Sequence, residues 1–163
     1  MLQNHLTQRL TLVAMEQPSS VDADAISYEK IKVLKTMAPI DASRVIRGQY
    51  DHGEVNGEKV IGYLEEEGVP MNSATETFVA LELEIDNWRW KGVPFYLRTG
   101  KRLAAKSSRI LVQFRHVPVS LFRSIVAKLD TTDLLIITLQ PNDGLDLHLD
   151  LTPPALQFRS TPP

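Results

Sequence analysis

Two lysines near the middle of the chain have the residue type and placement that an anion-binding site requires. Residues 92–101 read GVPFYLRTGK, an apolar run of β-formers that stops at a glycine and is followed at once by Lys101, with Lys106 shortly after. Binding groups often lie at strand ends, because the sheet fixes the backbone while the side chain reaches past it. The alternative is that both lysines are ordinary solvated surface residues.

His5 is the candidate base. If a helix begins near Leu2, His5 lies in its first turn, where unpaired backbone amides and the helix dipole disfavour the imidazolium form. A neutral imidazole can accept a proton near neutral pH. The alternative interpretation is an ordinary polar residue at a frayed terminus.

Several other charged groups are interpreted as solvated surface. Three lysines fall late in a predicted helix, where the helix dipole favours cations, so they indicate a solvated face rather than a phosphate site. They are Lys30, Lys32 and Lys35. His148 alternates onto the same face as Asp146 and Asp150, which predicts a solvated histidine between two acids rather than a catalytic group.

Two helices are predicted ahead of the strands. Apolar residues recur at helical spacing over residues 2–16, and Pro18 ends that pattern. A second helix begins after Ser20, carries Asp22 and Asp24 near its amino end, and runs to Pro39.

After residue 41 the spacing of apolar residues changes from the helical repeat to the alternation typical of strands. Six segments show alternation or short β-branched runs: 44–50, 77–85, 93–99, 109–114, 134–139 and 145–151. The connections are rich in glycine, asparagine and proline, which suits antiparallel turns. The prediction is an α+β fold: two N-terminal helices followed by a large, mostly antiparallel sheet, with the helices on one face. The other face is then short of cover, so self-association is expected.

Composition narrows the functional classes. The chain has 163 residues, a length that predicts one domain, and it has no cysteine. Its 18 basic and 20 acidic side chains nearly balance, so no overall positive electrostatic field attracts nucleic acid or an anionic membrane. The four histidines have no metal-ligand spacing, so no metal site is expected. Without an apolar run long enough to span a bilayer or a basic export segment, the expected compartment is the cytoplasm.

Collinear sequence blocks over most of residues 3–142 resemble the carboxyl-terminal portion of glucose-6-phosphate dehydrogenases. The blocks, in family order, are QNHL at 3–6, LVAMEQP at 12–18, EKIKVLK at 29–35, RGQY at 47–50, GYL at 62–64, VP at 69–70, TETFVA at 75–80, WKGVPFYLRTGK at 90–101 and LQPN at 139–142. So many blocks in order are far more specific than any one of them.

The resemblance implies roles for the candidate residues. His5 matches the family's proton acceptor, which takes the proton of the anomeric hydroxyl of glucose 6-phosphate as hydride leaves for NADP. Lys101 matches a lysine that binds the substrate sugar, and Lys106 matches a second substrate lysine, nearer the phosphate. Gln140 is placed near the same site. In the family the sheet forms the dimer interface, which implies a homodimer.

The sequence also departs from the family pattern. The eight glycines never form G-x-G-x-x-G, the turn that binds a dinucleotide, and the family's RIDHYLGKE block is absent. We therefore expect the isolated chain to be inactive, with a separate nucleotide-binding domain as one source of the missing site. Residues 144–163 diverge from the pattern and form a tail of the predicted partial domain. The competing hypothesis is a noncatalytic sheet module for oligomerisation or partner binding.

Overall fold

A computed structural model describes residues 6–55, 57–115 and 133–149. The chain divides into two compact units, Met1–Ala104 and Ala105–Pro163. The proposal of a single partial domain with a divergent tail over residues 144–163 stays a prediction.

The first unit begins with two helices, α1 (Thr7–Ala14) and α2 (Ala23–Lys35). The second helix starts as predicted, because the Asp22 carboxylate accepts a hydrogen bond from the Ala25 amide at 2.8 Å. Both helices end earlier than predicted. Met15 is extended, and beyond α2 the Ala38 amide donates to Glu84 of a strand at 3.0 Å, so sheet pairing replaces the last predicted helical turn.

A three-stranded antiparallel sheet follows, with strand order β1 (Val45–Gly48), β4 (Phe78–Glu84), β5 (Pro94–Gly100). Between β1 and β4 the chain forms a hairpin, β2 (Gly53–Val55) and β3 (Glu58–Val60), which the strand predictions did not include. A short 3₁₀ helix, Tyr63–Glu65, follows the hairpin. The expected β1, β4 and β5 segments are confirmed.

The core of this unit lies between the helices and one face of the sheet. Val79, Leu81 and Leu83 of β4 and Ile85 just after it are buried. Glu82 and Glu84 lie on the other face, where the Arg44 guanidinium contacts both carboxylates. The buried cluster joins both helices to β4; its members are Leu10, Ala14, Val33, Val79, Leu81, Leu83 and Ile85. The predicted placement of the helices on one face is confirmed for this sheet.

The loop between β4 and β5 ties the sheet to the end of α1. The Trp90 indole Nε1 donates to the Ala14 carbonyl at 2.9 Å, and its ring packs edge-on against Phe95 at 5.1 Å between centroids. The Arg89 guanidinium forms an ion pair with Glu16. The indole thus satisfies a helix-terminal carbonyl that has no partner within the helix.

The second unit contains a separate antiparallel sheet in the order β6 (Ser108–Gln113), β7 (Leu134–Gln140), β8 (Gly144–His148). These strands lie where the sequence placed them, and His148 is exposed as expected. Asp150 lies outside the described residues. The prediction of one large sheet needs correction: the described strands form three small antiparallel sheets. One physical reason is that Arg102, two residues after the end of β5, takes a left-handed conformation (φ 51°), which cannot continue an extended strand.

Candidate functional site

Lys101 lies directly after β5, and its backbone is fixed by Thr77. The Lys101 amide donates to the Thr77 carbonyl at 2.8 Å, which continues the β4–β5 pairing beyond Phe78 and Gly100. Its side chain is exposed, and among the described residues none pairs with its ammonium group. The sequence prediction of a charge held at a strand end is therefore confirmed in its geometry, although the binding role is not tested by it.

Thr77 links the ends of three strands. Its amide donates to the Gly48 carbonyl at 2.9 Å, and its hydroxyl oxygen accepts the Tyr50 amide at 2.9 Å. Thr77 is only 2% exposed, so these hydrogen bonds are shielded from competing water. Tyr50 and Lys101 are consequently both attached to one buried residue.

Arg102 contacts the same region through its side chain. Its guanidinium lies over the Tyr50 ring at 5.0 Å from the centroid and forms an ion pair with Glu66. The Tyr50 hydroxyl donates to the same Glu66 carboxylate at 2.7 Å. This hydrogen bond is the largest cause of a raised pKa of the Tyr50 phenol, and burial is the second cause. The phenol therefore stays protonated and remains a hydrogen-bond donor. Sequence reasoning did not identify Arg102, Tyr50 or Glu66 as part of the site.

The base of the β2–β3 hairpin forms an open cleft next to Tyr50. Its volume is about 360 Å³, and its lining residues are Gln49, Tyr50, Asp51, His52, Gly62, Tyr63, Leu64 and Glu65. His52 lies between two carboxylates, with Nδ1 2.8 Å from Asp51 and Nε2 2.8 Å from Glu65. These contacts, the Asp51 hydrogen bond first, raise the pKa of His52 above its usual value.

The remaining candidates are placed as follows. Lys106 is exposed and belongs to the second unit, whereas Lys101 belongs to the first. Gln140 ends β7 and is exposed. His5 lies outside the described residues, so its role stays a prediction.

The three lysines of α2 are placed as the sequence indicated. Lys32 and Lys35 occupy the last turn of α2 and are exposed, and Lys32 pairs with Glu29 at 2.8 Å. Lys30 donates to Gln8 of α1 at 3.0 Å. These contacts support the interpretation of a solvated helix face.

No described helix has the length and hydropathy needed to cross a bilayer. Residues 6–55, 57–115 and 133–149 also contain no group of three or more histidine, aspartate or glutamate side chains placed to hold a metal ion.

Comparison with known proteins supplies the family context of this site. The family described as "Glucose-6-phosphate dehydrogenase, C-terminal domain" matches residues 1–162. A glucose-6-phosphate 1-dehydrogenase of Dickeya dadantii is 50% identical over 153 residues, covering 91% of this chain, and one of Rhizobium meliloti is 48% identical over 170 residues, covering 99%. The chain spans only 31% and 34% of the lengths of these relatives.

Two solved structures are also similar. A glucose-6-phosphate dehydrogenase in complex with its substrate glucose 6-phosphate has a TM-score of 0.81 and 40% identity, covering 96% of this chain and 31% of that one. A glucose-6-phosphate 1-dehydrogenase from Mycobacterium avium has a TM-score of 0.79 and 37% identity, covering 94% of this chain and 32% of that one.

Proposed function

The chain belongs to the glucose-6-phosphate dehydrogenase C-terminal domain family, and on that premise we propose that it is the substrate-binding and dimerisation portion of such an enzyme. The activity to which it contributes is the oxidation of glucose 6-phosphate to 6-phosphogluconolactone with NADP, in the pentose phosphate pathway. The ligand of this chain itself is glucose 6-phosphate.

One observation carries the proposal: an exposed ammonium without a protein partner among the described residues, on a backbone that a buried threonine holds in place. Lys101 occupies this position. The similar structure at 40% identity is described as a complex with glucose 6-phosphate, which supports a sugar phosphate as the anion. A compact ammonium with three donors can bridge phosphate oxygens and sugar hydroxyls.

The roles of the residues follow from this proposal. Lys101 binds the sugar, Lys106 contributes a second positive charge nearer the phosphate, and His5 accepts the proton of the anomeric hydroxyl. The ammonium groups offset the phosphate charge, and holding the sugar in place orients that hydroxyl toward the base. No catalytic step is assigned to any other residue.

NADP is the proposed oxidant, but the described residues do not fit a dinucleotide site. Such sites use a glycine-rich turn between a parallel strand and a helix, whereas every strand pair found in the described ranges is antiparallel. We therefore propose that a separate nucleotide-binding domain holds the cofactor. The compartment proposed for the whole activity is the cytoplasm.

A glucose 6-phosphate titration of the 163-residue chain, followed by NMR chemical shifts, tests the proposal. We expect saturable shifts at Lys101 and Lys106, and loss of saturation in Lys101→Ala and Lys106→Ala. Lys59→Ala is the matched control, because Lys59 is an exposed lysine of the β2–β3 hairpin. The absence of saturable shifts at either lysine would favour the noncatalytic interaction module.

NADPH formation from glucose 6-phosphate provides a second test. We expect no detectable turnover by the chain alone, since catalysis without oriented cofactor loses proximity effects of about 7–11 kcal/mol. Robust turnover that His5→Ala abolishes would support His5 as the base but contradict the need for a separate nucleotide domain.

A further inference from the structure

Arg102 and Lys101 are adjacent cations in very different surroundings. The Lys101 ammonium is exposed and has no partner in the described part of the chain. The Arg102 guanidinium contacts the Tyr50 ring and the Glu66 carboxylate, and it donates to the Ile61 carbonyl at 3.4 Å. We propose that Arg102 is a positioning residue that holds Lys101 ready to bind the sugar phosphate, an inference that rests on the substrate role proposed for Lys101.

The backbone conformation of Arg102 is the first support. Its φ of 51° lies in the left-handed region, which non-glycine residues enter only when their surroundings enforce it. From this conformation the Arg102 side chain makes three contacts, with the Tyr50 ring, the Glu66 carboxylate and the Ile61 carbonyl, and together they can hold the segment in place. Arg102 directly follows Lys101, so its contacts tether the chain on the carboxyl side of Lys101.

The second support is that the contacts form a closed ring. Thr77 accepts the Lys101 amide with its carbonyl oxygen and the Tyr50 amide with its hydroxyl oxygen. The Arg102 side chain then returns to the Tyr50 ring, so Lys101 is attached to the sheet from both sides. Glu66 closes the arrangement with one oxygen, Oε1, which accepts a hydrogen bond from the Tyr50 hydroxyl and forms the ion pair with Arg102.

The charge distribution is the third support. Glu66 pairs with Arg102 and is half-buried, with 29% of its side chain exposed. The Arg102 charge is thereby paired within the protein, whereas the neighbouring Lys101 ammonium has no partner among the described residues. An arginine positioned to bind phosphate would instead present its planar donors to the ligand.

The test uses the whole 163-residue chain and two measurements: hydrogen exchange at the Lys101 amide without ligand, and the Kd for glucose 6-phosphate. The main variant is Arg102→Asn, because asparagine tolerates the left-handed conformation but cannot reach Tyr50 and Glu66. We expect Lys101 amide exchange to accelerate about tenfold or more. The Kd should rise about fivefold, because a preorganised group loses less freedom on binding.

Two further variants separate positioning from general destabilisation. Arg102→Lys keeps a cation near Tyr50 and Glu66. Compared with Arg102→Asn, it should therefore show a smaller increase in Lys101 amide exchange and a smaller increase in Kd. Arg98→Ala removes an exposed arginine of β5 that has no ion pair in the described ranges, and it should change neither measurement. Amide exchange at Leu81, in the buried centre of β4, should stay slow in all three variants.

The outcomes distinguish this inference from the proposed function. Unchanged Lys101 exchange in Arg102→Asn overturns the positioning role whatever the ligand does. Faster exchange with an unchanged Kd overturns the link between positioning and binding. No saturable binding by the wild-type chain overturns the substrate role of Lys101, and with it the ligand-directed part of this inference.

Discussion

His52 connects the start of the β2–β3 hairpin to the 3₁₀ helix that follows it, through Asp51 and Glu65. Both carboxylates raise the pKa of His52, and hydrogen bonds from the His52 backbone amide and then from its ring lower the pKa of Asp51. The stabilisation from these pairs is fully present below the ordinary histidine pKa of about 6.5. It is lost as the pH rises through the higher folded-state pKa, so we expect the base of the hairpin to loosen toward alkaline pH.

An NMR titration of the His52 ring checks this pH dependence. We expect the titration midpoint to fall toward the ordinary value in Asp51→Asn and in Glu65→Gln. His52→Gln should remove the pH dependence of amide exchange at the base of the hairpin. A midpoint that neither carboxylate variant moves would contradict the assignment of these ion pairs.

Gly100, the residue before Lys101, lies in close contact with two side chains. A Cβ atom added there would lie 2.9 Å from the Phe78 ring and 3.1 Å from a Leu103 methyl group. Because a Cβ at this distance forces a neighbouring side chain to shift, we expect Gly100→Ala to lower the free energy of unfolding by about 1–3 kcal/mol.

Urea denaturation measures this cost, with Gly48→Ala as the control. Gly48 ends β1, and a Cβ there would meet nothing within 4 Å. The control should be neutral or slightly stabilising. Equal denaturation midpoints for the two variants would show that Phe78 and Leu103 accommodate the methyl group.

Sequence reasoning located Lys101 but missed the residues that surround it. A charge directly after an apolar run is visible as a pattern, since it depends on neighbouring residues alone. The Arg102–Tyr50 and Arg102–Glu66 contacts join segments far apart in the sequence, and nothing in the local pattern distinguishes Arg102 from a solvated cation. Such a contact is determined by the register of β4 with β1 and β5, which the sequence reading did not assign.

At the scale of elements, α2 shows how one side chain sets a helix start. The Asp22 carboxylate accepts hydrogen bonds from the Ala25 amide and from the Ser20 hydroxyl, and these bonds, the Ser20 one first, lower the pKa of Asp22. We expect Asp22→Ala to destabilise the helix, because the Ala25 amide then loses its side-chain acceptor.

Amide exchange at Ala25 and thermal unfolding measure the effect of this cap. Asp22→Asn is the matched variant, because asparagine also accepts an amide hydrogen bond at this position. It should retain most of the stability. Slow exchange at Ala25 in Asp22→Ala would mean that another group caps α2.

Six strand segments could be predicted because each alternates apolar and polar residues or contains β-branched runs. The hairpin strands could not, because Glu54, Glu58 and Lys59 make them short and polar, without alternation. Their clearest sequence signal is the Asn56-Gly57 pair, which is typical of a tight hairpin turn.

At the scale of the whole molecule, the expected homodimer stays a proposal, supported by apolar residues on exposed strands. In the second unit, cross-strand partners place aliphatic residues of β6, β7 and β8 on one face, and Leu145 and Leu147 of β8 are 67% and 53% exposed. Contiguous exposed apolar surface of this kind is typical of association sites.

Light scattering over a dilution series tests the dimer. We expect a dimer for the wild-type chain and a monomer for the double variant Leu145→Lys, Leu147→Lys, since buried lysines oppose association. Leu12→Lys, at an exposed position of α1, should leave the dimer intact. A wild-type chain that is monomeric at all concentrations would contradict self-association.

The Trp90 indole is an intrinsic fluorophore, and its hydrogen bond to the last carbonyl of α1 holds it at the junction between helix and sheet. Its emission should shift to the red when α1 separates from the sheet and water reaches the indole. The chain's other tryptophan, Trp88, is fully exposed and should contribute a constant background. Undocking of the segment that follows His5 can therefore be timed by stopped-flow fluorescence without an added label.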